Sequence, residues 1–332
     1  MNKLHIFYEE IQADRWIRYD RYPRSIIRRL IRGKAPVSGV KRWFLNLIHG
    51  LDEIGHPYEI NNYRALRKDS TKWALVVGRP HVIDKIPTHT SIIYGPALPS
   101  HPTDNDFWDY SNLKHLLAPC EWMKILYERD LPNKKNMSVW PSGIETEKWM
   151  PTKKKIGDRP RILVYDKIRW DYNYLESTFL KPILNALDQK QVTIEYIKYG
   201  NYKEDEYHKL LSKVDGMIFL CEHETQGFAY QQALSTNTPI LAWDRGGFWQ
   251  DPDYFPDVVS FEGVSSVPYW DKCCGEKFKN LEEFNDRLDL FLTGIVQRRY
   301  TPRNYIVENL TLKSQAMAYV QLTNSIIART IK

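Results

Sequence analysis

Cysteine is scarce in this chain of 332 residues, at four positions: Cys120, Cys221, Cys273 and Cys274. No C-x-x-C or His-spaced pattern joins them, which excludes a disulfide frame and a zinc site of the common kinds and suits reduced thiols in the cytosol. No apolar run reaches the ~18 residues of a membrane span. The opening MNKLHIFYEEIQADRW lacks the basic, apolar and small-residue succession of a signal peptide. Internal repeats and low-complexity stretches are also missing. A cytoplasmic globular protein is therefore expected. Core material is plentiful, with 42% hydrophobic and 13% aromatic residues, and the length fits two domains of about 150 residues each.

The net charge of +6 is modest but unevenly spread. Arg15, Arg18, Arg21, Arg24, Arg28, Arg29, Arg32 and Lys34 are opposed only by Asp20. Ile26, Ile27, Leu30 and Ile31 interleave with them at helical spacing. Such a segment can lie on an anionic membrane surface or grip a polyanion. It can equally be a solvated face whose arginine stems cover their own domain.

Short apolar runs alternate with helical patterns throughout. LHIFY (4–8), YEINN, WALVVG, SIIYG, HLLAP and MSVWP read as strands in the first half. In VKRWFLNLIHGLDEIG, Phe44, Leu47, Ile48 and Leu51 share one helix face and Gly55 closes it. The stretch WPSGIETEKWMPTKKKIGDRP has the composition of a linker. RILVYD (161–166), a helix around 173–189, TIEYIKYG, the helix KEDEYHKLLSKV, GMIFLC and PILAW make a second series. RNYIVENLTLKSQAMAYVQLTNSII reads as one long terminal helix. This alternation predicts α/β architecture with two parallel sheets, each wrapped by helices. Ligands are expected where strands end, in a cleft between the sheets.

The stretch CEHETQGFAYQQALSTNTPILAWDRGG carries the chemistry. GMIFLC ends at Cys221, so Glu222 to Gly227 form the loop at its carboxyl end. The helix after it, expected to begin near Thr225 or Gln226, presents free N–H groups and a dipole to an anion, and Gly227 lets a phosphate approach. Glu224 can accept hydrogen bonds from sugar hydroxyls. Gln232, eight residues on, projects about two turns away. The pair fits two ends of an extended ligand such as a nucleotide sugar; a helix cap plus an exposed glutamine explains it as well. His223 reads either as a site residue or as a satisfied loop histidine. Glu222-His223-Glu224 is too contiguous to converge on one ion, and Asp251-Pro-Asp253 reads as a turn, so no metal site is expected. Arg245, Gly246 and Gly247 follow PILAW at the same edge and either shape a pocket or belong to irregular core. His101, in YGPALPSHP, is a candidate acceptor-side residue, as are Arg24 and Arg28 of the basic segment.

The segment from Glu224 to Gln232, followed by TNTPILAW, resembles the E-x7-E signature of GT-B glycosyltransferases related to family 4. In that family the first glutamate contacts the donor sugar and the second the ribose. Glu224 matches the first, while the second position holds Gln232, which can bond a ribose hydroxyl without charge. The order TQG also departs from the commoner EGFG. VSGVKRWFLNLIHGLDEIGHPYEIN is similar to the family's first loop and helix, which places Gly39 near the donor phosphates. MSVWPSGIETEKWMP is similar to the P-x-G-I-[DE]-T segment before its linker. Residues 9–36 and 244–300 carry no pattern of the family.

The resemblance implies two Rossmann-like domains facing an interdomain cleft. Residues 1–155 would bind the acceptor and 156–305 the donor, with a terminal helix, 306–332, packing back toward the first. It implies metal-independent, retaining transfer from a UDP- or GDP-linked sugar, with no other cofactor. Glu224 would position the sugar, and Lys167 and Arg169 would stabilise the departing diphosphate. Tyr199 and Gly200 would flank the base, and His223, Thr225, Gln226, Gly227, Phe228 and Gln232 would complete the donor site. A lipid-linked or cell-surface saccharide acceptor, at the inner membrane face in polysaccharide biosynthesis, is expected. A nucleic-acid acceptor, a sugar-nucleotide epimerase and a non-catalytic nucleotide-sugar-binding protein stay open as alternatives.

Overall fold

The computed structural model describes residues 3–10, 37–152 and 159–330. The segment carrying Arg24 and Arg28 lies outside the described residues. The chain divides into two compact units. One comprises Met1–Pro119, Tyr127–Trp140 and Ala316–Lys332; the other comprises Cys120–Leu126 and Pro141–Gln315.

In the first unit, six strands form a parallel sheet: β1 (Leu4–Phe7), β2 (Tyr58–Ile60), β3 (Trp73–Val76), β4 (Ser91–Tyr94), β5 (Leu113–Ala118) and β6 (Asn136–Val139), in the order β2-β1-β3-β4-β5-β6. β1 and β3 are buried at every position, as expected of strands covered on both faces. Helix α1 (Gly39–Glu53) starts where Ser38 Oγ accepts from the Lys41 N–H at 3.2 Å, and it buries Trp43, Leu47 and Leu51.

The second unit holds a five-stranded parallel sheet in the order β11-β10-β9-β7-β8. Its strands are β7 (Arg161–Lys167), β8 (Thr193–Lys198), β9 (Gly216–Cys221), β10 (Ile240–Trp243) and β11 (Gly275–Phe278). Alternation along the strands builds two cores. Leu163 and Tyr165 of β7, with Met217, Phe219 and Cys221 of β9, face one layer. That layer includes Tyr207 and Leu211 of α2 (Glu204–Leu211) and Tyr230, Ala233 and Leu234 of α3 (Phe228–Ser235). Ile162, Val164, Ile218 and Leu220 face the other. There they meet Ile183 and Leu187 of Lys181–Gln189 and Phe284, Leu288 and Phe291 of α4 (Leu281–Val296).

Three features differ from the sequence expectation. The terminal segment is two helices, α5 (Pro302–Asn309) and α6 (Leu312–Thr330), not one. Leu310 is buried and its carbonyl accepts from the Ile144 N–H at 2.7 Å, which pulls the chain out of helix at that point. Gly143 permits this approach: a Cβ there would lie 2.5 Å from the Thr311 carbonyl oxygen. β11 and α4 fall in a stretch for which no element was expected; GEKF offers a single large apolar residue, and the edge strand it forms pairs only with β10. The helix after Gly227 begins at Phe228, later than expected. No helix among the described residues is long and apolar enough to cross a membrane.

Phe219 is fully buried at the centre of this sheet, with ring centroids 5.5 Å from Tyr165 and 5.6 Å from Tyr230. Phe219→Ala is expected to cost about 3–5 kcal/mol in denaturant unfolding, as core aromatic truncations do; a loss below ~1 kcal/mol would contradict this packing.

Candidate active site

β7 and β9 are parallel neighbours with Lys167 paired in register to Cys221, so both strands release their chains at the same edge of the sheet. Lys167 Nζ forms an ion pair with Glu224 Oε1, and each side chain is only 12% exposed. The same ammonium lies 4.4 Å from the centroid of the Tyr199 ring. Burial is the largest influence and opposes the Lys167 charge, but Glu224, Cys221 and Tyr199 together outweigh it and hold the lysine above its ordinary value. Lys167 therefore stays cationic at any physiological pH.

A second pair lies beside the first. Glu222 is 1% exposed. Its Oε1 accepts from the Arg169 N–H at 2.7 Å and the Trp170 N–H at 3.1 Å, and its Oε2 from Arg169 Nε at 3.3 Å. Burial weighs against the Arg169 charge too, and the thiol and carboxylates of Cys221, Glu224 and Glu222 reverse the balance and raise it. Glu222 thus fixes both the backbone and the guanidinium of the turn that follows β7.

His223 is walled by indoles, with Trp122, Trp170 and Trp249 at centroid distances of 5.4, 5.1 and 6.1 Å. Trp249 Nε1 donates to His223 Nε2 at 2.5 Å, and Arg169 Nη2 lies 2.9 Å from Nδ1. A neutral imidazole has one acceptor nitrogen, so it serves one of these donors at a time. Arg169 Nη2 has the His223 carbonyl as an alternative acceptor at 3.2 Å. Burial, followed by Arg169, Lys167 and Arg245, drives the His223 value well below that of an ordinary histidine, so the ring is neutral at pH 7. Trp122 Nε1 donates to the Glu224 carbonyl at 2.9 Å and steadies the loop.

The remaining sequence candidates take varied places. Gly227 adopts φ +76° as the cap of α3, and a Cβ there would lie 2.1 Å from the Tyr230 ring, so only glycine fits. Gln226 is buried and engaged: Oε1 accepts from the Ser142 N–H at 3.0 Å, and Nε2 donates to Gln231 Oε1 at 2.8 Å. Its side chain holds the loop in place. Thr225 and Phe228 are half-buried, and Phe228 packs on the core. Gln232 is buried, yet its amide enters none of the described side-chain hydrogen bonds. Gly200 turns the chain after Tyr199 at φ +84°. Gly39 and His101 belong to the first unit. His101 is spent on structure, with Nε2 2.9 Å from Asp130 and Nδ1 accepting from the Thr103 N–H at 3.3 Å.

Trp122, Trp170 and Trp249 were not singled out from the sequence. Only Trp170 carried a signal, by directly following Arg169. Among the described residues, no group of three His, Cys, Asp or Glu side chains could hold a metal ion.

No protein-family model matches the sequence, and no curated protein matches it. Solved structures do. Anabaena HepE in complex with UDP and glucose aligns with a TM-score of 0.56 at 6% identity, over 98% of this chain and 100% of that one. The lipopolysaccharide outer core galactosyltransferase WaaB aligns at 0.52 and 9% identity, over 97% and 100%. The GtfA/B complex, at 0.48 and 13%, is matched over 80% of this chain and 59% of that one, so this chain spans about three fifths of its length. The chain has the GT-B fold that HepE and WaaB share. At such identities the likeness is one of fold.

The neutral His223 has a consequence for stability. Its folded value lies below the ordinary ~6.5, so beneath that pH the unfolded chain binds a proton that the folded one refuses. Stability is then complete above pH 6.5 and falls as pH drops, by up to ~1.4 kcal/mol per pH unit from this residue. Between pH 7 and 5, denaturant unfolding of His223→Gln should show a shallower pH slope than the parent; equal slopes would contradict a buried neutral ring.

Proposed function

We propose that the protein is a glycosyltransferase that moves a sugar from a nucleotide-linked donor to a saccharide acceptor. The observation that carries this reading is the Lys167–Glu224 pair at the adjoining ends of β7 and β9, flanked by Arg169 and Glu222. It joins cations suited to a diphosphate with a carboxylate suited to sugar hydroxyls, at the edge where parallel sheets bind ligands. That HepE was solved with UDP and glucose supports a nucleotide sugar as the ligand here.

In the proposed reaction the bond from the anomeric carbon to the diphosphate oxygen breaks, and its electron pair leaves with the diphosphate. The acceptor hydroxyl oxygen bonds to that carbon from the same face and passes its proton to the departing oxygen, which retains configuration. Lys167 and Arg169 stabilise the growing negative charge, and no resident metal is required for that task. Glu224 orients the sugar through its hydroxyls, and Tyr199 stacks on the base. Gln232 keeps its amide for the ribose. His223, being neutral, offers no proton near pH 7. Glu222 has its oxygens committed to Arg169 and the Trp170 amide, which favours transfer over acid–base epimerisation.

A lipid-linked or cell-surface saccharide is the proposed acceptor, and WaaB, a lipopolysaccharide galactosyltransferase, supports that class. The arginine-rich 15–34 segment would hold the enzyme at an anionic inner membrane face. Metal-free thermal unfolding with UDP-, GDP-, ADP- and CMP-sugars tests the donor. One base should stabilise the fold by about 2.7 kcal/mol at a hundredfold excess over Kd; no shift with any would overturn the reading. Lys167→Ala and Glu224→Ala should each lower turnover by at least ~100-fold, and full activity in either would remove that residue from the site.

A further inference from the structure

Arg245 follows β10 at the same edge of the sheet, one strand beyond β9 and two beyond β7. Its Nε and Nη2 are both buried without a hydrogen-bond partner. These two N–H groups lie on the same side of the guanidinium and point in parallel, the fork that takes a carboxylate with two bonds. The guanidinium carbon lies 5.5 Å from the Trp243 ring centroid, which backs its plane. Glu222 lends it some electrostatic support, but the oxygens of Glu222 are committed elsewhere. Burial is the chief influence on Arg245 and pulls its value down, the signature of a cation lacking its counter-charge.

The backbone beside the fork is uncrowded. Gly246 and Gly247 adopt φ +64° and +73°, and a Cβ on either would meet nothing within 4 Å. None of the described hydrogen bonds uses the N–H of Arg245, Gly246 or Gly247. Neighbouring strands are about 4.8 Å apart, so the end of β10 lies about 10 Å along the edge from that of β7. A donor with its diphosphate at Lys167 and its sugar at Glu224 would direct the far side of that sugar toward Arg245.

We propose that Arg245 receives a carboxylate carried by the transferred sugar, so that the donor is a nucleotide-linked uronate. This rests on the glycosyl-transfer reading above and narrows its substrate class. The idle fork recognises the planar acid, and a neutral sugar leaves it unpaired, which disfavours that sugar.

Calorimetric titration of the parent protein and of Arg245→Gln tests the proposal in two series: UDP, UDP-glucose and UDP-glucuronate, then GDP, GDP-mannose and GDP-mannuronate. In one series the uronate should bind the parent at least about tenfold more tightly than its neutral counterpart. Arg245→Gln should erase that ratio, and Arg245→Lys should restore only part of it, since an ammonium lacks the fork. Thermal unfolding should show no loss of stability in Arg245→Gln, because the residue removed has unpaired donors. Equal affinity for uronate and neutral sugar would overturn the proposal while leaving glycosyl transfer intact. So would an equal loss of affinity for the bare diphosphate, which would move Arg245 to the leaving group. Binding of no nucleotide in either series would overturn the uronate proposal, and glycosyl transfer falls with it only if ADP- and CMP-sugars also leave the fold unshifted.

Discussion

The ion pair between Lys167 and Glu224 organises the second unit's site. It exists because two parallel strands end together: β7 delivers the lysine as its last residue, and β9 ends in register beside it, three residues before the glutamate. Both side chains are largely withdrawn from water, where the loss of either partner leaves an uncompensated charge at a cost of about 3–5 kcal/mol. A pair of well-packed apolar residues would hold the fold as well or better. That a costly pair stands at a strand end, rather than an apolar contact, points to a use for its charges.

Around the pair, each element removes a degree of freedom. Glu222 fixes the turn after β7 through two backbone N–H groups, so Arg169 emerges in a set direction. Trp122 holds the Glu224 carbonyl, and Gln226, bonded to Ser142 and Gln231, pins the loop from below. Gly227 starts α3 in a conformation that its contact with Tyr230 reserves for glycine. Beneath them lie the two aromatic and aliphatic cores of the sheet. A cationic site of this kind can act without reorganising when charge develops, which is the main advantage a protein has over water.

Much of this was legible in the sequence, for identifiable reasons. Buried parallel strands are short apolar runs, and LHIF, WALV and GMIFLC stand out as such. A carboxylate-bearing loop between GMIFLC and an apolar helix leaves few places for Glu224 to go. Lys167 and Arg169, just past RILVYD, were pointed to by the family resemblance. What the sequence concealed depends on long-range packing. The break at Leu310 answers to Gly143 and Ile144, more than 160 residues away in the chain. The wall around His223 gathers Trp122, Trp170 and Trp249 from three separate segments, and no local pattern announces it. The partners of His101 were equally out of sight: Asp130, 29 residues on, and Thr103 bond its ring within its own unit.

On the proposed function, Lys167 and Glu224 serve a ligand rather than the fold. Exchanging them, as Lys167→Glu with Glu224→Lys in one protein, keeps the attraction and reverses what each strand end presents. The measurement is the affinity of that exchanged protein for the nucleotide sugar bound by the parent, alongside its thermal unfolding. A fold close to parental stability with affinity reduced at least about tenfold, ~1.4 kcal/mol, is the predicted result. Parental affinity in the exchanged protein would mean that the pair is structural and that the site lies elsewhere.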